Sequence, residues 1–327
     1  MTNSTTELAQ KKTTTAQLLA EIEVLKKEKN AIILAHFYQE PIIQELADFV
    51  GDSLALSQEA ENTNAEIILF AGVHFMAETA KIINPNKKVI LPDLAASCSL
   101  AESCLAEDFK KFTDQHPDHT VVTYINCSAD IKALSDIVCT SSNAEKIINA
   151  IPKDQPIIFA PDKNLGAFLM KETGRDLLLW DGVCMVHEAF SLDKIIDLHK
   201  QHPNAKFIAH PESNSKILEI ASYIGSTSGM IAHVKENPAT EFIVATEAGI
   251  LHKMQQEVPN KILIPAPAED DNTCACSECG YMKMNTLEKL HRCLKNEFPE
   301  VNVSEEVRLK AIVPIQRMLE ISSNPKK

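Results

Sequence analysis

Short apolar runs rich in β-branched residues recur along the whole chain. They are AIILAH (31–36), EIILFAG (66–72), KVILP (88–92), TVVTYIN (120–126), DIVCT (136–140), PIIFAP (156–161), LLLW (177–180), KFIAHP (206–211), EFIVAT (241–246) and KILIP (261–265). Between them lie stretches with helical spacing, such as PIIQELADFV (41–50) and GILHKMQQEV (249–258). Continuous apolar strands alternating with helices predict buried parallel sheets, the pattern of an α/β fold.

The order of elements then repeats. The segments ILAHFYQEPIIQELADFVGDS, VVTYINCSADIKALSDIVCTS and KFIAHPESNSKILEIASYIGST each read as strand, polar strand end, helix, short strand, then Ser or Thr. His36, Tyr124 and His210 each stand 17 positions before Ser53, Ser141 and Thr227, and two residues beyond them come Tyr38, Asn126 and Glu212. Each unit continues to a third strand, ending at FAG, FAPDKNLG or VATEAG, then a helix and a fourth strand that leads into a cysteine: Cys98, Cys184, or the group Cys274, Cys276 and Cys279. The expected architecture is three pseudo-threefold-related repeats, each a small parallel sheet flanked by helices, around a central active site. The boundaries are a flexible tail at 1–15, repeats at 16–117, 118–203 and 204–300, and a helical C-terminal segment at 301–327.

Parallel α/β units bind ligands outside the carboxyl ends of their strands, where helix N-termini also converge. Three units around one axis would aim three His/Tyr positions, three Ser/Thr positions and three cysteines at one cavity. Three thiolates can hold three irons of a cubane cluster and leave the fourth open, whereas a cluster that only carries electrons is normally held by four cysteines. An open iron suits Lewis-acid work on a substrate oxygen. Zinc on three cysteines and a water is the competing metal, although catalytic zinc usually has histidine ligands. For the third corner, Cys279 stands just before GYMKMNTLEKL, where Asn285 or Thr286 starts a helix; Cys276 is the other candidate. Ser53, Ser141 and Thr227 each precede a helical pattern and are expected to cap those helices as anion sockets. Glu212, past an apolar strand, is expected to act as a base, with burial raising its pKa.

Composition narrows the function class. The formal charge of −13 excludes a phosphate-backbone binder. No apolar run reaches the length of a membrane span, and MTNSTTELAQKKTTT lacks a signal-peptide core. Nine cysteines without an export signal fit a reducing, cytoplasmic setting, with thiols used for metal or reactivity.

At these residues the chain resembles the quinolinate synthase family of NAD biosynthesis. The resemblance covers about residues 30–295 and rests on AHFYQEPIIQELADFVGDSLALSQEA, FAGVHFMAETAKIINPNKKVILPDLAASCSLA, TYINCSADIKA, CTSSNA, WDGVCMVHEAF, AHPE, GSTSGMI and MKMNTLEKL. It implies a transferase-type condensation and dehydration of iminosuccinate with dihydroxyacetone phosphate, giving quinolinate, phosphate and water. It also implies one [4Fe–4S] cluster on Cys98, Cys184 and Cys279, and coupling to an L-aspartate-oxidising enzyme that supplies iminosuccinate. Substrate contacts are implied at His36, Ser53, Tyr124, Asn126, Ser141, His210, Glu212 and Thr227. Glu212, His36, Tyr38, Tyr124 and His210 are implied as the groups near the chemistry. The chain has C-x-C-x-x-C where some members have C-x-x-C-x-x-C, a departure that leaves Cys279 in place and leaves open a regulatory disulfide at Cys274 and Cys276. Two other classes remain as alternatives: a colourless dicarboxylate-binding protein with structural zinc, and a redox-sensing iron–sulfur protein with a fourth cysteine such as Cys104 or Cys276.

Overall fold

The computed structural model of the chain describes residues 3–269 and 277–323, so Cys274 and Cys276 lie outside the described residues. Among the described residues, three four-stranded sheets follow one another. The first holds β1 (Ala31–His36), β2 (Phe49–Gly51), β3 (Ile67–Ala71) and β4 (Lys88–Ile90). The second holds β5 (Thr120–Tyr124), β6 (Ile137–Cys139), β7 (Ile157–Ala160) and β8 (Leu177–Leu179). The third holds β9 (Lys206–Ala209), β10 (Tyr223–Ile224), β11 (Glu241–Ala245) and β12 (Ile262–Pro265). Every pairing is parallel. The spatial order is also the same in each: second, first, third, fourth.

That order has a consequence for function. The chain leaves the first strand toward one side of the sheet and then crosses to pair the third strand on the other. The carboxyl ends of β1 and β3, β5 and β7, and β9 and β11 therefore flank a topological switch point, where such sheets leave a crevice. Burial on both faces explains the uniform apolar character of strands such as β3, which is buried at all five residues.

The units also share a device that fixes the second strand beside the first. Asp48 Oδ2 accepts the Ile33 N–H at 2.8 Å and Asp136 Oδ2 accepts the Val121 N–H at 2.8 Å. Ser222, at the matching place in the third unit, instead donates to the Phe207 carbonyl at 2.7 Å. Terminal helices close the molecule. The helix Asn3–Glu28 packs Ile22 against Leu290 and Leu294 of helix Leu287–Asn296, and its first turns run through the stretch expected to be a tail. The helix Glu305–Ser323 buries Ile315 and Met318 in a core shared by the first two sheets, with Leu34, Ile68, Val122 and Phe159. Each such side chain stabilises by about 1.5–3 kcal/mol. No helix among the described residues is long and apolar enough to cross a membrane.

Candidate active site

The carboxyl ends of the three sheets meet at one cavity. His36 and Tyr124 are the last residues of β1 and β5, and His210 follows β9 directly. The cavity brings together His36, Tyr38, Ser53, Tyr124, Asn126, Ser141, His210, Glu212 and Thr227 with the thiols Cys98, Cys184 and Cys279. Among the described residues lining it there is no lysine or arginine. Asn126 Oδ1 is buried there without a hydrogen-bond partner in the protein.

One end of the cavity is built from the residues around the short second strands, and here the expected capping is displaced by one residue. Asp52, not Ser53, caps helix Ser53–Asn62, its carboxylate accepting the Ala55 N–H at 2.9 Å. Ser226, not Thr227, caps helix Thr227–Glu236 through the Gly229 N–H at 3.1 Å. Helix Ala144–Ala150 starts three residues past Ser141 without a side-chain cap. The reason is the backbone. Asp52 and Ser226 hold extended conformations from which a side chain reaches the N–H three residues on, while Ser53 and Thr227 already have helical geometry. Ser142 and Ser228, one residue past Ser141 and Thr227, both donate to Asp52 Oδ2 at 2.7 Å. A single carboxylate thus ties all three units together.

The middle of the cavity is a buried hydrogen-bond network. The Tyr38 N–H donates to His36 Nδ1 at 3.2 Å and the Glu212 N–H to His210 Nδ1 at 3.4 Å, the same contact in two units. Burial pushes the two imidazoles down to about 4 and about 3, so both are neutral near pH 7. With Nδ1 as acceptor the proton is assigned to Nε2, and His210 Nε2 lies 3.2 Å from Ser141 Oγ. Glu212 accepts from the Tyr124 hydroxyl at 2.5 Å, and its Oε2 lies 3.2 Å from His187 Nδ1. Burial opposes ionisation of Glu212, but His187, His210 and Tyr124 outweigh it and hold the carboxyl below its usual range. This reverses the direction expected from burial alone. His187 Nε2 reaches Thr246 Oγ1 at 2.9 Å, which in turn contacts the Tyr38 hydroxyl at 2.8 Å. Burial pushes both tyrosines well above their usual range, so they remain protonated.

The other end carries the thiols. Cys98 and Cys184 precede the short helices Ser99–Ser103 and Met185–Glu188, and Cys279 precedes the turn Met282–Met284. Helix Leu287–Asn296 begins only after this turn, capped by Thr286 through the Lys289 N–H. Burial pushes the Cys98 thiol up to about 12 and raises Cys184 and Cys279, with Cys279 adding to the shift of Cys98 and Cys98 to that of Cys184. Backbone N–H groups of Leu100 and Ala101, of His187, and of Tyr281 and Met282 act the opposite way on the three sulfurs. Three half-buried thiols, with Cys98 in the field of the other two and each beside backbone donors that favour thiolate, form a donor set suited to a cationic metal centre. Cys104, Cys127, Cys139 and Cys293 are buried in the hydrophobic cores, away from this wall.

Sequence reasoning missed Asp52, Ser142, Ser228, His187, Thr246 and Glu247. Glu247 is fully buried; it accepts the N–H groups of Gly249 and Cys279 and lies 3.3 Å from Lys283 Nζ. The signals were present for several. Asp52 lies one residue before, and Ser142 and Ser228 one residue after, the aligned hydroxyls, and Thr246–Glu247 closes β11 at the switch point. His187 left no comparable trace in the repeat count.

Comparison with known proteins adds an independent finding. The family model described as "Quinolinate synthetase A protein" matches residues 20–320. A quinolinate synthase from Nostoc sp. is 61% identical over 306 residues, covering 94% of each chain. One from Nostoc punctiforme is 59% identical over 323 residues, covering 97% of this chain and 99% of the relative. One from Chloroherpeton thalassium is 58% identical over 305 residues, covering 93% of this chain and 94% of the relative.

Proposed function

The chain belongs to the quinolinate synthetase A protein family, and from that premise we propose that its central cavity condenses iminosuccinate with dihydroxyacetone phosphate to quinolinate, phosphate and water. The full-length match to the family carries this reading. The place of the reaction in NAD biosynthesis follows from it, as does its class, a transferase that also dehydrates. A small-molecule reaction of this kind requires a source of iminosuccinate, which an L-aspartate-oxidising enzyme would supply.

Cys98, Cys184 and Cys279 would hold a [4Fe–4S] cluster. No other described cysteine lines the cavity, consistent with one iron left open as a Lewis acid for substrate oxygens. The donor set fits, and so does the charge. Both substrates are anions, the cavity wall carries Asp52, Glu212 and Glu247, and no described lysine or arginine lines it. Positive potential must then come from the metal centre and from helix N-termini.

The chain's own residues have the following roles in this reading. Neutral His36 and His210 donate from Nε2 to substrate oxygens, and the hydroxyls of Ser53, Ser141 and Thr227 add donors at the same end. Asn126 offers its unpartnered amide oxygen to a substrate N–H or O–H. Glu212 takes a proton from the condensing substrate; its Tyr124 hydrogen bond orients the carboxylate and must lengthen as the proton arrives. The Tyr38 and Tyr124 hydroxyls, protonated at neutral pH, can give a proton to a departing hydroxyl.

Anaerobic purification with iron and sulfide counted tests the cofactor, with about four of each per chain expected. Cys98→Ser, Cys184→Ser and Cys279→Ser should each lose the visible absorbance of the cluster. The parent chain supplied with both substrates should release quinolinate. A colourless chain that binds dicarboxylates without turnover would replace this reading with that of a binding protein.

A further inference from the structure

Three side chains in the cavity converge in a way the condensation reading does not use. Cys184 Sγ and Glu212 Oε2 both face the same nitrogen, His187 Nδ1, at 3.1 and 3.2 Å. The three ligand atoms lie within 4.8 Å of one another, with His187 and Glu212 buried and Cys184 half-buried. We infer that Cys184, His187 and Glu212 form a site for a single divalent transition ion such as zinc, filled when the iron–sulfur cluster is absent and competing with it for the Cys184 sulfur.

The geometry and its support favour this. Zinc binds sulfur at about 2.3 Å and nitrogen or oxygen at about 2.0–2.2 Å, which places neighbouring tetrahedral ligand atoms roughly 3.3–3.6 Å apart. The two separations to His187 Nδ1 need to open by about half an ångström or less to admit the ion, and Cys184 Sγ and Glu212 Oε2, within 4.8 Å of each other, would settle at roughly 3.6 Å around it. A metal-bound histidine usually has its other ring N–H held by a fixed partner. Here Nε2 faces Thr246 Oγ1 at 2.9 Å, and Thr246 is itself held by the Tyr38 hydroxyl. The second carboxylate oxygen is likewise fixed, by the Tyr124 hydroxyl. The ion would replace the proton of the Cys184 thiol and leave its fourth position facing the cavity. The set therefore differs from the three-thiol wall in chemistry as well as place: one sulfur with nitrogen and oxygen, against three sulfurs.

Competition is the consequence. The inference of exclusivity rests on the reading of Cys184 as a cluster ligand. An ion at this site would occupy both that sulfur and Glu212, blocking cluster assembly and the proposed base together.

The test uses the full chain, stripped of metal under anaerobic conditions, with one equivalent of zinc. X-ray absorption at the zinc edge should show one sulfur and otherwise nitrogen or oxygen neighbours. Cys98→Ser and Cys279→Ser should still bind zinc, while His187→Gln and Glu212→Gln should not bind it at one equivalent. Thr246→Val should bind it about 10–100-fold more weakly, a variant that keeps all three ligands and so controls for misfolding. Three sulfurs around the zinc, or loss of zinc in Cys98→Ser, would place the ion on the thiol wall and overturn the inference. So would a chain that takes up the full cluster while retaining its zinc. A metal-free chain that ignores zinc but assembles the cluster refutes only this inference. A chain that binds zinc on one sulfur but never assembles the cluster refutes only the cluster reading.

Discussion

The two ends of the cavity are built by different rules. At the hydroxyl end the three units contribute matched residues: Ser53, Ser141 and Thr227 line the cavity, and Ser142 and Ser228 reach Asp52 at the same 2.7 Å. At the thiol end only the presence of a cysteine is shared. Cys98 follows a strand that ends at Ile90, Cys184 one that ends at Leu179, and Cys279 one that ends at Pro265. Their neighbours differ as well, with His187 beside Cys184 and Glu247 beneath the Cys279 amide. Regular secondary structure fixes the first end, since a strand, a helix and a short strand spanning the same 17 positions in each unit return the chain to an equivalent point. Loops of unequal length form the second end, free to differ because the proposed metal centre would ask only that three sulfurs arrive.

The largest effect should separate chemistry from architecture between these ends. Glu212→Gln keeps the shape and the Tyr124 hydrogen bond but removes the proposed base. Turnover should fall by about 10²–10⁴-fold, with substrate binding and cluster absorbance retained. Steady-state kinetics beside the visible spectrum decides it, and turnover within a few-fold of the parent would pass the proton to another group.

This contrast also explains what was legible in the sequence. The strands, their order of appearance and the 17-residue offsets could be read because apolar runs and equal spacings are local properties. His36, Tyr124, His210 and Glu212 came with them, since a strand end is where a repeat count lands. The cap positions were misread by one residue because Ser and Thr are good caps by type, and only the extended backbone at Asp52 and Ser226 shows which residue takes the role. His187 could not be read at all: it meets Thr246 across 59 positions of sequence, and no local pattern encodes that contact. The lowered pKa of Glu212 was out of reach for the same reason, its donors coming from Tyr124 in one unit and His187 at the thiol end.

A pH measurement probes the imidazoles between the two ends. Burial lowers His36 to about 4, against about 6.5 in an unfolded chain. Between those values the folded chain binds fewer protons than the unfolded one. The contribution of this histidine is therefore complete above about pH 6.5 and is lost as the pH falls toward 4. The loss is on the order of 3 kcal/mol for this group. Buried Glu247, raised to about 7, runs the opposite way over much of this window, so the readout is the difference between parent and variant: the unfolding midpoint of metal-free His36→Gln should fall less, or rise more, than the parent's as the pH drops. A slope unchanged by His36→Gln would mean the imidazole stays charged in the folded chain.

The Asp52 knot can be cut directly. Asp52→Ala removes the cap of helix Ser53–Asn62 and leaves two serine hydroxyls, from the second and third units, without their charged acceptor. Loss of a cap and of charge-assisted hydrogen bonds together should cost about 2–3 kcal/mol. Denaturant unfolding of the metal-free chain gives the value. Substrate affinity should weaken with it, because the units that carry Ser53, Ser141 and Thr227 are no longer held in register, while the three sulfurs at the far end should still hold the proposed cluster. Bleaching of the cluster in Asp52→Ala would show that the two ends are mechanically one.

Ser226 occupies the matching place in the third unit and supplies the finest test. It caps helix Thr227–Glu236 through the Gly229 N–H and, unlike Asp52, makes no side-chain hydrogen bond to another unit among the described residues. If the inter-unit contacts and not the capping itself give Asp52 its weight, Ser226→Ala should cost only what a cap is worth, about 1 kcal/mol. Turnover should stay near that of the parent, since Thr227 keeps its helical position once the rest of the first turn is formed. The informative quantity is the difference between the two alanine variants measured under one set of conditions. Equal losses would assign the stabilisation to helix capping in each unit separately. A larger loss at Asp52 would assign it to the junction, where one carboxylate replaces the symmetry that three serines or threonines would otherwise have kept.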